Sequence, residues 1–338
     1  MVIIWSLLSY SAIAKGSNMK PDLVLFGVLV AKKNINLQSI YINMPKTKYS
    51  IALTQLELNA LPDINLKKCK EWVKKAAKQG ADVVCLPELY SSFYFCQSEN
   101  TKNFDLAEPL HGVSFKEFSA LALELKLVII VPFFEKRAAG IYHNSAYIIN
   151  SDGAMSGLYR KMHIPDDPAF YEKYYFTPGD LGFNAFNTSV GKIGTLICWD
   201  QWFPEGARIT ALQGAEVLFY PTAIGWHPDE IDRYGKIQHD AWQTVQRGHA
   251  VANGVYVAAC NRIGLEKPIK DSAGIQFWGS SFIAGPQGEI LAQASPDKEE
   301  IIMAEVDKDL IETVRRNWPF FRDRRIGAYG DILKRSVD

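Results

Sequence analysis

The stretch Lys192–Arg208, KIGTLICWDQWFPEGAR, constrains this chain more than any other. Its apolar run from Ile193 to Ile197 reads as a buried β-strand. Cys198 stands where that strand ends, and Phe203-Pro204-Glu205 marks the entry to a helix, since proline is tolerated in a first turn. A thiol at such a turn sits on rigid backbone and faces the helix N-terminal dipole, which favours its thiolate form. Taken alone, a buried cysteine is more often an inert small hydrophobe. The rest of the chain has to decide.

From Tyr49 onward strands and helices alternate. Ser50–Leu56 reads as a strand, and Asp63–Gln79 as an amphipathic helix with Leu66, Cys69, Trp72, Val73 and Ala76 at helical spacing. Gly80 stops that helix, and Asp82–Leu86 is a short buried strand. Ser114–Lys126 predicts a helix and Leu127–Pro132 a strand. Ile141–Asn150 and Ala154–Arg160 form a hairpin around Asp152-Gly153. Further on come a strand at Glu216–Tyr220, a long helix at Lys236–Asn253 and a strand at Val255–Asn261. Phe277–Ala284 with Glu289–Gln293 predicts a second hairpin, and Ile301–Val306 closes the core. Hairpins mixed with β-α alternation indicate an α/β protein whose sheets carry helices on an outer face. Residues 1–43 do not share this pattern; they read as an upstream extension, with 44–338 as one domain and Met44 as its working start. The apolar run Val2–Ala14 in that extension lacks a basic flank and is too short to span a bilayer.

Composition excludes several classes. Lys+Arg and Asp+Glu both number 37, so the formal net charge is zero, which argues against nucleic acid or an anionic membrane as partner. The five cysteines include no CxxC pair and are odd in number, which fits reduced thiols in the cytoplasm rather than a disulfide framework. Six scattered histidines give no metal-ligand spacing, and neither GxGxxG nor a Walker loop is present. The expected cofactor complement is therefore none.

Three residues of complementary chemistry stand just past strands: Glu88, Lys161 and Cys198. Ligands of α/β sheets gather outside the carboxyl ends of strands, so the three could converge. Each also has an ordinary reading, as a helix cap, a surface charge and core filler respectively.

The blocks LPELYSSFYF (86–95), GLYRKMHIPDDPAFYEKYYFTPGD (157–180) and GTLICWDQWFPEGAR (194–208) resemble, in order, the three signature blocks of the nitrilase, or carbon–nitrogen hydrolase, superfamily. The resemblance spans about residues 49–325. It implies a four-layer α-β-β-α sandwich, subunits that pair into a homo-oligomer, and a Glu–Lys–Cys catalytic set at Glu88, Lys161 and Cys198. Glu172, eleven residues after the lysine, matches a second glutamate common in the family. CWDQWFPE together with IPDDPAFYEKYYF is most similar to the branch that hydrolyses N-carbamoylputrescine, a small-molecule carbamoyl amine.

That resemblance implies a thiol mechanism. Cys198 attacks the carbamoyl carbon, Glu88 takes and returns the proton, Lys161 steadies the oxyanion and Glu172 holds Lys161 charged. The backbone N–H of Trp199 would complete the oxyanion hole. A diamine substrate has a cationic far end, for which Asp166 and Asp200 are candidate partners, alongside Asp167 and Glu205. Tyr94 and Trp199 are candidates to wall the apolar stem. The arginine- and aromatic-rich tail 315–325 is expected to pack on a neighbouring subunit.

Overall fold

The structure, a computed structural model, describes residues 47–338. The extension 1–43 lies outside the described residues. Two sheets carry the architecture. The first runs, in spatial order, Glu300–Asp307, Lys48–Gln55, Val83–Cys85, Val128–Ala138, Ile141–Ile149 and Met155–Arg160. The second runs Ile290–Gln293, Phe282–Ala284, Tyr256–Cys260, Val217–Pro221, Lys192–Thr195 and Ala185–Asn187. At the centre of each the strands are parallel: Ile51 pairs with Val83 and Val83 with Val128, while Val217 pairs with Ile193 and with Tyr256.

Period-two alternation explains the layering. Ile51, Leu53, Val83, Cys85, Val128 and Ile130 point toward the second sheet and pack with Val217–Tyr220 and Tyr256–Cys260. Their neighbours Ala52, Val84, Ile129 and Val131 point the other way, onto Cys69, Val73 and Ala76 of the helix Pro62–Lys78 and Phe118, Leu121 and Ala122 of the helix Val113–Leu125. The second sheet is covered by Ala207 and Ala211 of Pro204–Leu212 and by Trp242 and Ala250 of Ile231–Asn253. The order helix, sheet, sheet, helix is the four-layer sandwich that the signature blocks implied.

Several element boundaries differ from the sequence reading. The strand expected to stop at Pro132 continues to Ala138, pairing with Ile141–Ile149 along its length. The long helix begins at Ile231, five residues early, because Gly235 is no breaker: it is buried, and its carbonyl accepts the Trp226 indole N–H at 3.1 Å. The second hairpin is split. Phe282–Ala284 does pair with Ile290–Gln293, but Ile275–Trp278 belongs to a separate three-stranded sheet with Gly225–Trp226 and Ile263–Glu266. Gly279 and Ser280, both at φ +53°, turn the chain from one sheet to the other. In the tail, Phe321 is flanked by the guanidinium groups of Arg208 and Arg315, whereas the Trp318 ring is exposed.

Gly194 lies in the strand leading to Cys198, where a Cβ would come within 2.3 Å of Thr210 Cγ2 and 2.9 Å of Leu218 Cδ2. The Gly194→Ala variant is expected to lose about 1–3 kcal/mol of stability through overpacking, read as a lower urea midpoint at unchanged slope. An unchanged midpoint would show that the helix can move away from this strand.

Candidate active site

Strand ends deliver the side chains, two from parallel strands and one from the antiparallel edge strand Met155–Arg160. Glu88 lies three residues past Val83–Cys85, Lys161 follows directly on Met155–Arg160, and Cys198 lies three past Lys192–Thr195. Both Leu89 (φ +46°) and Cys198 (φ +45°) take the left-handed conformation, so the chain turns sharply at the two points where Glu88 and the thiol project. Residues Cys198–Trp202 form a 3₁₀ turn, and the α-helix starts only at Pro204. The expected α-helical dipole is therefore displaced from the sulfur by a full turn.

All four side chains of the expected set are buried. The Lys161 ammonium donates to Glu88 Oε1 at 2.9 Å and to Glu172 Oε2 at 2.6 Å. Asn144 Nδ2 adds a bond to Glu88 Oε1 at 2.7 Å, and the Tyr94 hydroxyl donates to Glu172 Oε1 at 2.7 Å. Glu88 Oε2 has no hydrogen-bond partner among the described residues. The thiol lies close enough that Glu88, Lys161 and Glu172 all act on its ionisation. The sulfur, carboxylate and ammonium expected from separate strand ends thus meet in one place.

Burial, followed by the negative charge of Glu88, pushes the Cys198 thiol far above its ordinary value, against the pull of Lys161. Burial and Glu88 thus oppose ionisation at this position, and the helix expected to favour a thiolate begins only at Pro204. Burial alone would lower the Lys161 ammonium, but Glu172 and Glu88 outweigh it and hold the group well above the usual lysine range. One cation thus serves two buried carboxylates. Burial raises Glu172 to about 7, partly offset by Lys161 and reinforced by Glu88.

Beside the thiol opens a cavity of about 510 Å³, a size suited to a small metabolite. Trp199, Trp202, Trp278 and Phe170 wall it, and Asp167 and Glu230 supply its acidic groups. Of the candidate substrate contacts, Trp199 lines this cavity, while Tyr94, Asp166 and Asp200 do not. The Tyr94 hydroxyl is taken up by Glu172, behind the ion pair. Asp166 is exposed, and its neighbour Asp167 faces the cavity instead. Asp200 is fully buried and accepts from Ile197 N–H, His163 N–H and the Tyr159 hydroxyl at 2.7–3.0 Å, with His163 Nδ1 also 2.7 Å away. It ties the cysteine turn to the segment after Lys161. Of the two histidines on the long helix, His249 packs inward with Nε2 against Gln201 O, and His239 packs on Trp278.

Asn144 escaped the sequence reading because a polar residue inside an apolar strand looks like ordinary period-two alternation. Arg262 and Glu266 escaped it too. Both are fully buried, and besides bonding each other they reach partners some 170 residues away in sequence, where no local pattern could point.

Residues 50–316 match the family model for carbon–nitrogen hydrolase. The chain belongs to the carbon–nitrogen hydrolase family, and is a hydrolase acting on non-peptide carbon–nitrogen bonds. Among its relatives is an N-carbamoylputrescine amidase from Oryza sativa, 45% identical over 290 residues, which cover 85% of this chain and 95% of the relative. A citrullinase from Francisella tularensis is 42% identical over 286 residues, 84% of this chain and 98% of that one. The solved carbon–nitrogen hydrolase from Helicobacter pylori superposes with a TM-score of 0.83 at 50% identity, covering 86% of this chain and all of that one.

The raised Glu172 gives a pH test. Below the ordinary carboxyl value of 4.5 both folded and unfolded chains hold its proton; between there and about 7 only the folded chain does. This group's contribution to stability therefore falls as pH rises through that window. Urea unfolding at pH 5 and pH 7.5 should show a smaller pH-dependent loss in Glu172→Gln than in the unmodified protein. Parallel behaviour of the two would contradict the shift.

Proposed function

We propose that the protein hydrolyses N-carbamoylputrescine to putrescine, ammonia and carbon dioxide, through a covalent thioester on Cys198. The ureido carbon is a poor electrophile, and a positioned sulfur nucleophile divides the reaction into two easier halves. As sulfur attacks, the free Oε2 of Glu88 takes the thiol proton, so the charge on sulfur never has to exist at rest. Glu88 passes that proton to the departing nitrogen, ammonia leaves, and the amine-bearing carbamoyl group stays bonded to Cys198. Glu88 then takes a proton from water, which attacks the thioester, and returns it to the Cys198 sulfur as the C–S bond breaks. The released carbamate loses carbon dioxide and leaves the free diamine. Lys161 and the backbone N–H of Trp199 stabilise the oxyanion in both halves, and Glu172 keeps Lys161 charged and in place.

The observation that carries the choice of substrate is the charge of the cavity wall. Among the described residues its charged lining groups besides Glu172 are Asp167 and Glu230, and no lysine or arginine lines it. A substrate with a terminal ammonium suits that wall, and the tryptophans suit a four-carbon stem. A citrulline-like tail, which carries a carboxylate as well, would bring its negative charge to an acidic rim. Identity to the amidase of Oryza sativa supports the same reading.

The working unit is read as residues 44–338, a cytoplasmic homo-oligomer. Five cysteines that are all unpaired fit a reducing compartment. Among the described residues no helix is long and apolar enough to cross a membrane. Exposed apolar side chains on the covering helices, Ile209, Leu212 and Val251, and in the tail, Trp318 and Phe320, offer a surface for a second copy.

The purified protein should release ammonia from N-carbamoylputrescine in preference to citrulline, a dicarboxylic monoamide and a nitrile. Cys198→Ser should lower kcat by at least about 1,000-fold. Intact-mass analysis after brief incubation should find the carbamoyl adduct on Cys198. Turnover undiminished in Cys198→Ser would overturn the thiol mechanism. Glu230→Gln should raise KM for N-carbamoylputrescine by about three- to tenfold, with the effect fading at high salt because the group is exposed. A KM unchanged at low salt would remove Glu230 from substrate recognition.

A further inference from the structure

Behind the Glu88 turn lies an ion pair that the reaction described above does not use. Arg262 and Glu266 are both completely buried, bonded to each other at 2.9 Å and 3.1 Å. The Arg262 guanidinium covers the ring of Phe277 at 5.3 Å. Nε has no partner among the described residues, and the other bonds of Nη1 and Nη2 go to backbone carbonyls of one segment. Nη1 donates to Ser92 O at 3.2 Å, and Nη2 donates to Leu89 O at 3.0 Å and to Glu88 O by a short bond.

Nη2 therefore grips the carbonyls on both sides of the Leu89 Cα. Leu89 is the residue at φ +46°, a conformation unfavourable for a side chain of this kind that persists only where the surroundings over-determine it. Glu266 acts on the far end of the same segment. Its Oε2 accepts the Tyr94 N–H at 2.5 Å, and its backbone carbonyl accepts Gln97 Nε2 at 3.1 Å. Tyr94 in turn holds Glu172 through its hydroxyl. The two ends of the segment thus each bear on one of the carboxylates that share Lys161.

We propose that the Arg262–Glu266 pair is a positioning device for both carboxylates of the site, fixing Glu88 against Lys161 and the thiol, and fixing Glu172 through Tyr94. The planar, forked guanidinium is needed because three carbonyls and a carboxylate must be reached from one fixed point. A lysine at the same position presents a single nitrogen and loses part of that set. The buried pair carries no net charge, which lets it sit beneath the ionised site without adding a third anion or a second cation to it. The inference rests on the reading of Glu88 as the base that activates Cys198.

The test uses the full-length chain in Glu266→Gln and Arg262→Lys, each assayed well below its own melting temperature. Both variants should lower kcat for N-carbamoylputrescine by about 100-fold with KM within about threefold, since a displaced base costs chemistry more than binding. The second readout needs no turnover: the rate at which iodoacetamide alkylates Cys198 in the unmodified protein, Glu266→Gln, Glu88→Gln and the double variant. If the pair works through Glu88, Glu266→Gln slows alkylation in the unmodified background and has no further effect once Glu88 is gone. A kcat within about twofold of the unmodified protein in both variants would overturn the proposal. Equal slowing by Glu266→Gln with and without Glu88 would do the same, since it marks a general structural effect. If Glu88→Gln alone leaves alkylation at its full rate, the assignment of Glu88 as base fails and the inference falls with it. Should Glu266→Gln not fold, Arg262→Lys runs the same cycle; should neither fold, the pair is a folding element and the proposal is wrong.

Discussion

The Lys161 ammonium, enclosed between Glu88 and Glu172, is the interaction on which the rest of the site depends. In a buried position two carboxylates 2.9 Å and 2.6 Å from one cation attract it strongly, yet repel one another and lose hydration. Such an arrangement is tolerable only if every member is held. Asn144 and Tyr94 supply those holds from a strand and a loop. Because one cation cannot neutralise two anions, a proton is retained nearby more readily than in water. Burial and the charge of Glu88 act in the same sense on the cysteine, raising its thiol against the pull of Lys161.

Asp200 illustrates how position outweighs residue type. An acid two residues past the thiol seems well placed for a cationic substrate. In the folded chain it bonds the backbone N–H groups of Ile197 and His163 and the Tyr159 hydroxyl, and so ties the cysteine turn to the lysine segment. Its carboxylate has no capacity left for a ligand. Asp167 and Glu230, by contrast, line the cavity. The charge that anchors the backbone and those that face the cavity are thus different residues.

Much of the architecture was legible in advance because apolar periodicity reports burial directly. The strands at Ser50–Leu56, Asp82–Leu86 and Glu216–Tyr220 and the helix at Asp63–Gln79 fall within a residue or two of the observed elements. What periodicity does not report is the partner. Phe277–Ala284 reads as one arm of a hairpin, yet Gly279 and Ser280 divide it between two sheets. The long helix read as Lys236–Asn253 begins earlier, and close approach to Trp226 gives Gly235 a packing role inside it.

The sequence by itself determined the chemical inventory: a thiol, a carboxylate and an ammonium, each just past a strand, in three blocks whose order marks the carbon–nitrogen hydrolase family. It determined the alternation of faces that makes a four-layer sandwich, since period two and period 3.6 are local properties of the chain. Only the tertiary structure decided which polar residues serve the site and which serve its scaffold. Asn144 meets Glu88 across 56 residues, and Arg262 reaches Glu88 across 174. Contacts at such separations arise from sheet packing, and the energy of a buried charge depends on every neighbour folded around it.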